Sequence, residues 1–205
     1  MKISLDHISK RFQRYWIFKE ISFSFSAPDA YALLGPNGSG KSTLLRVIAG
    51  MQSPTKGKVN YDVNGKECTV QTIFPYISFC APGQEIIEEL TLNEFLEFHF
   101  NFKKPLAGLN TADIINIIGL EQSTHKLIGD FSSGMKQRVK LAQAIFSDTQ
   151  ALFLDEPCTN LDQHGVEQYR DWIEQYGKGR MIIVASNDVR EHYFCKEQIV
   201  LENYK

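Results

Sequence analysis

The chain has 205 residues, 43% of them hydrophobic and 22% charged, with 22 basic against 24 acidic residues and a net charge of −2. That composition builds a folded globular chain with a sizeable core; it argues against a disordered protein and gives no basic footprint for nucleic acid. No run of 18 apolar residues and no basic-then-apolar leader occurs, so neither a membrane span nor a secretory signal is expected.

Residues 2–8 alternate as a half-buried strand with Ile3, Leu5 and His7 on one face, and residues 19–26 as a second with Ile21, Phe23 and Phe25 inside. Between them, residues 9–18 carry Phe12, Tyr15 and Trp16. After the turn Ala27-Pro28-Asp29, the apolar run 30–34 reads as a buried strand. It leads into Gly35-Pro36-Asn37-Gly38-Ser39-Gly40-Lys41-Ser42-Thr43, which fits the phosphate-binding pattern G-x-x-x-x-G-K-[ST]. Glycines let consecutive backbone N–H groups face one anion, Lys41 is placed for the β- and γ-phosphates, and the Ser42 hydroxyl suits Mg²⁺. A helix over 42–49, stopped by Gly50, aims its dipole at the same point, and this strand-loop-helix context separates the motif from a chance glycine turn.

Beyond Ser53-Pro54 a strand over 58–63 turns at Asn64-Gly65, a strong hairpin signal, into a returning strand over 67–72. From Thr91 the pattern becomes helical: Thr91 and Glu94 form a capping box, residues 111–118 make a second helix, and Ser132 opens a third with Met135, Val139, Ala142 and Phe146 on one face. Strands over 151–154 and 181–185 follow, with a helix over 165–176 between them and a short helix and strand at the end. The expected class is α/β: a P-loop NTPase core over 1–78 and 147–205, a mixed sheet flanked by helices with an N-terminal antiparallel part, interrupted by a helical subdomain over about 79–146. The cysteines, Cys68, Cys80, Cys158 and Cys195, have no metal-ligand spacing and read as reduced thiols.

A P-loop requires a carboxylate for Mg²⁺ and a group that polarises the attacking water. The strand over 151–154 runs directly into Asp155-Glu156, at the strand end where α/β sheets present ligand groups. Asp155 is assigned to the metal and Glu156 to the water. An Asp-Glu pair alone reads as a solvated strand end; its partnership with a P-loop strand changes that.

The segment Phe131-Ser132-Ser133-Gly134-Met135-Lys136-Gln137-Arg138, followed by its helix and then Leu154-Asp155-Glu156-Pro157, resembles the signature segment of ATP-binding cassette (ABC) ATPases, whose pattern is LSGGQ-x-Q-R. Thr159-Asn160-Leu161-Asp162 stands in the place of that family's D-loop, and the resemblance covers essentially the whole chain. It implies an ATP-binding and ATP-hydrolysing subunit with ATP and Mg²⁺ as cofactors, working as a head-to-tail dimer, either a homodimer or a pair with a second ABC subunit. Each ATP then lies between one chain's P-loop and Ser132 and Gly134 of the other. It also implies an integral-membrane permease as partner, a cytoplasmic place on the inner face of the cell membrane, and an aromatic to stack on adenine, here Phe12 rather than Tyr15 or Trp16. The alternative for all three aromatics is simple core packing. No nucleic-acid partner is expected.

Three positions depart from the family pattern. Pro82 stands where the Q-loop glutamine is expected, with Gln84 two residues late as the substitute contact to Mg²⁺. Asn187 replaces the switch histidine; it can hydrogen-bond a γ-phosphate but cannot carry a proton, and His192 is too far along to replace it. Met135 and Ser133 replace a glutamine and a glycine of the signature. A slow but functional ATPase powering a transporter is the expectation; the alternatives are a soluble non-transport ABC ATPase or a nucleotide-gated module that does not hydrolyse.

Overall fold

Apolar alternation folds the N-terminal third into antiparallel hairpins. In the computed structural model, which describes residues Met1–Lys205, the chain begins with β1 (Lys2–Phe12), β2 (Tyr15–Ser26) and β3 (Ala30–Leu34), followed by α1 (Lys41–Ile48). Next come β4 (Lys56–Val63), β5 (Lys66–Cys68) and β6 (Ile77–Cys80), then α2 (Leu92–Phe102), α3 (Thr111–Ile117) and α4 (Ser133–Ile145). The chain closes with β7 (Ala151–Asp155), α5 (Gln163–Tyr176), β8 (Met181–Ala185), α6 (Val189–His192) and β9 (Glu197–Val200).

One sheet is antiparallel, in the order β2-β1-β4-β5. Residues 9–18, read as a connection, instead continue β1 and β2 into one long hairpin. His7 has φ 48°, and the register between β1 and β2 shifts between Leu5 and Ile8. This bulge corrects the expected face: His7 turns out to solvent and Ile8 is fully buried in its place. Asn64 and Gly65, with φ 55° and 78°, make the tight turn between β4 and β5. The returning strand is shorter than its sequence suggests, because Thr69 to Thr72 close a hydrogen-bonded turn instead.

The second sheet is wholly parallel, in the order β6-β7-β8-β3-β9. Its register aligns Asp155 with Ala185 and Ala185 with Leu33, so β3, β7 and β8 end side by side. Alternate residues serve two cores. Ala151 and Phe153 of β7 join α1 and the antiparallel sheet on one side; Leu152 and Leu154 join α2, α3, α4 and α5 on the other. Helix ends are set locally. Thr91 and Glu94 close a capping box on α2, Asn110 and Asp113 another on α3, and Ser132 caps α4.

At the opposite end of the sheet, Arg180 is buried and gives its guanidinium to the carbonyl of Ile145 at 2.7 Å and to the hydroxyls of Thr149 and Ser78. It ties the end of α4 to β6 and β8 without a carboxylate partner, and burial draws its pKa down to about 10.

Candidate phosphate-binding site

The loop between β3 and α1 is shaped by its glycines. Gly40, at φ 105°, precedes α1 with no side-chain cap, leaving the first-turn N–H groups of the helix for an external acceptor. A Cβ there would lie 2.3 Å from Cγ2 of Ile17, and one on Gly35 would lie 2.8 Å from Oγ of Ser39. A side chain at either position would therefore displace its neighbour, whereas Gly38 has open space around it and needs glycine only for its φ of 77°. Lys41 is buried beneath it, and its ammonium donates to the carbonyls of Gly35 at 2.7 Å and Pro36 at 3.3 Å.

Side by side at the strand ends stand the groups that β7 and β8 deliver. Ser42 Oγ donates to Asp155 Oδ1 at 2.8 Å. Asp155 is 3% exposed; burial raises its pKa, while the Ser42 hydroxyl pulls it back. Glu156 follows in a left-handed conformation, φ 42°, with its N–H donated to the carbonyl of Ala185 at 3.0 Å. That turn points it into a cavity of about 220 Å³ shared with Asn37, Gly38, Gly40, Lys41, Ser42 and Thr43. Asn187, just beyond β8, accepts the N–H of Gly35 at 3.3 Å and donates to Asn37 at 3.4 Å.

Two features match a nucleotide with a divalent cation. The hydroxyl–carboxylate pair of Ser42 and Asp155 is an all-oxygen set suited to a hard cation. Ser39 Oγ is buried in the loop without a partner, in a cradle that a Cβ would fill.

Ser132 and Gly134 lie elsewhere. Ser132 Oγ accepts the N–H of Met135 at 3.3 Å, and Gly134 lies so close to the D-loop that a Cβ would stand 3.1 Å from the carbonyl of Asn160. Both line a separate cavity of about 690 Å³ with Arg138, Asn160 and Asp162, and no P-loop residue reaches it.

Two candidate residues, Gln84 and Phe12, lie outside the cavity over the P-loop. Gln84 Oε1 makes no hydrogen bond to Ser42, whose hydroxyl pairs with Asp155 alone. Lys140 holds the carbonyl of Pro82 at 2.6 Å, and Gln84 lines another cavity with His99, Lys103 and Gln143, its Oε1 buried and unpartnered. It therefore lines a different cavity from the one that Ser42 lines. Phe12 is 46% exposed at the tip of the first hairpin, paired with Tyr15, with the Lys10 ammonium 5.2 Å from its ring centre. It lies outside the cavity over the P-loop, whose one apolar wall residue is Ile17. Sequence reasoning missed Ile17, and also Lys205, whose ammonium donates to the carbonyls of Ser39 at 2.7 Å and Ile17 at 3.1 Å. Neither carries a local signal; both are brought to the loop by the packing of distant segments.

A parallel sheet that delivers a glycine loop, an acid pair and a polar amide to one rim defines a P-loop nucleoside triphosphatase. The chain belongs to the ABC transporter family, whose model matches residues 18–159. It is 29% identical, over 98% of its length, to the uncharacterized ABC transporter ATP-binding protein YxlF of Bacillus subtilis. It is 30% identical, over 99% of its length, to the sulfate/thiosulfate import ATP-binding protein CysA of Thermosynechococcus vestitus. The chain spans 68% and 62% of those two relatives, about two thirds of their length. A solved dimeric structure of the ATP-binding cassette MJ0796, in a post-hydrolysis state with ADP and Pi, has the same fold, with a TM-score of 0.83 at 21% identity over 97% of this chain and 93% of that one. ATP-binding subunits of this family are ATPases, and that is the activity the site has to account for. No helix of the chain is long and apolar enough to cross a membrane.

Proposed function

We propose that this chain hydrolyses ATP to drive a membrane transporter, with two copies, or one copy and a second ABC subunit, closing head to tail around the nucleotide. The observation that carries this reading is the separation of the two phosphate-binding ends. The P-loop opens into one cavity and the Ser132–Gly134 helix start into another, with no lining residue in common. One chain cannot turn both ends toward one ATP, whereas two copies related by a twofold axis complete two sites.

In this reading the uncapped N–H groups of residues 40–43 at the start of α1 and the Lys41 ammonium hold the β- and γ-phosphates, and the exposed ring of Phe12 offers a stacking face to adenine. Ser42 and Asp155 would hold Mg²⁺, which when bound would offset charge on the phosphates. Glu156 orients and deprotonates the attacking water. Asn187 donates its amide to the γ-phosphate and holds the loop, but it cannot take up a proton, which makes turnover slow. Ser132 and Gly134 of the facing subunit close the site. Coupling to transport passes through an integral-membrane permease, which keeps the chain at the inner face of the cell membrane.

The test is the steady-state ATPase rate of the purified chain with Glu156→Gln as the blank. Turnover above the blank supports the reading. A rate equal to the blank, with ATP still bound, would leave a nucleotide-gated module.

A further inference from the structure

We propose that Glu191 is a positioning residue, a buried carboxylate that sets the loop after Glu156 against the loop carrying Asn187. The inference rests on the reading of those two residues as the groups around the γ-phosphate.

Glu191 is 4% exposed, and its Oε1 accepts the backbone N–H of Cys158 at 2.7 Å. Cys158 is two residues past Glu156, and Glu191 four past Asn187. Two ties therefore join the loops that follow β7 and β8: the N–H of Glu156 to the carbonyl of Ala185, and this bond beyond it. Between the loops lies a crevice of about 270 Å³ lined by Glu156, Cys158, Ser186, Asn187 and Glu191, among others, so direct packing does not fix their spacing.

The carrier of the carboxylate is itself held from outside. α6 has only four residues and could not persist alone. Asp188 caps it through the N–H of Arg190, and the buried Tyr169 hydroxyl donates to the carbonyl of Glu191 at 2.8 Å. Glu191 has no cationic partner; the neighbouring Arg190 pairs with Asp188 instead. Burial raises its pKa, and the Ser186 hydroxyl and Cys158 amide offset part of that. A carboxylate so placed acts by the reach of its acceptor oxygen.

Reach and charge separate by substitution. Glu191→Gln keeps an acceptor at full length, Glu191→Asp keeps the charge but withdraws it by one methylene, and Glu191→Ala removes both. The readouts are kcat and KM for ATP in the presence of Mg²⁺, and hydrogen exchange of the Cys158 amide in the nucleotide-free chain. We expect Gln to hold kcat within about twofold of the parent, and Asp and Ala to lose about tenfold or more with KM within about threefold. Exchange at Cys158 should stay slow in Gln and become fast in Asp and Ala. Parental kcat and slow exchange in Asp would overturn the proposal, as would a Gln variant as impaired as Asp. If Ala does not fold, the Gln and Asp pair decides. If the parent is no faster than Glu156→Gln, the reading of the reaction fails, and the exchange data alone still decide whether Glu191 holds Cys158.

Discussion

Asn187 and Gly35 are joined across the rim of the sheet: the side-chain carbonyl of Asn187 accepts the N–H of Gly35 at 3.3 Å, although the two lie 152 residues apart. The neighbouring ends of β8 and β3 make that contact, and the Asn187 amide reaches on to Asn37. In the proposed reaction this neutral amide stands where a proton-carrying side chain would otherwise act.

Restoring that capacity should speed the reaction. Asn187→His is expected to raise kcat by about tenfold, since general acid–base groups contribute on the order of 10² to 10⁴ when fully in place. Steady-state phosphate release at saturating ATP measures it. A slower enzyme would mean that the bond to Gly35 matters more than the proton, and that position 187 was misassigned.

Glu156→Gln should lower turnover by about 10²-fold or more while ATP still binds. Because bound ATP is not consumed, an ATP-dependent dimer should become visible by size-exclusion chromatography with light scattering. A variant that binds ATP and remains monomeric would count against the head-to-tail site.

Two glycines offer a contrast between site and scaffold. Gly57, at φ 79°, lies where a Cβ would stand 2.4 Å from the backbone carbonyl of Asp6. Gly57→Ala should cost about 1–3 kcal/mol of stability with KM for ATP unchanged. Gly40→Ala meets both a positive φ and Ile17, inside the phosphate cradle, and should abolish nucleotide binding. Thermal melts with and without ATP, beside a fluorescent-nucleotide titration, separate the two.

Gln84→Ala should leave the Mg²⁺ concentration for half-maximal activity within about twofold of the parent, because the side chain lines a different cavity from Ser42 and Asp155. A large increase would show that the loop moves when nucleotide binds.

His99 predicts an acid-sensitive fold. Burial and the nearby Lys103 charge depress its pKa from 6.5 to about 4. As pH falls through that window the unfolded chain takes up the proton first, so stability present above about pH 6.5 is lost toward pH 4, by about 3 kcal/mol. His99→Gln, which retains a partner for Ser147, should flatten that part of the profile in urea denaturation between pH 7 and 4.5.

Much of this molecule is legible locally. The P-loop, the strand into Asp155-Glu156, the Thr91 capping box and the Ser132 helix start each depend on a few adjacent residues, whose backbone conformations and hydrogen bonds are decided within a turn or a strand. The His7 bulge was not legible, because alternation alone does not show where a strand gains a residue; that depends on its partner strand. The cavity that Gln84 lines was not legible for a related reason: counting along the chain cannot register how Lys140 holds the carbonyl of Pro82.

By itself, then, the sequence determined the chemical parts: a glycine loop, a lysine, a hydroxyl, two acids and an amide, in an order that marks an ABC ATP-binding subunit. Only the tertiary structure decided their company. The parallel register sets Leu33, Asp155 and Ala185 abreast, and so brings Ser42 to Asp155 and Asn187 to Gly35. Folding likewise places Ile17 and Lys205 against the loop and turns Ser132 and Gly134 into a different cavity. The physical reason is that local conformation follows from neighbouring residues, whereas contacts over more than a hundred residues follow from which strand ends the core packs side by side.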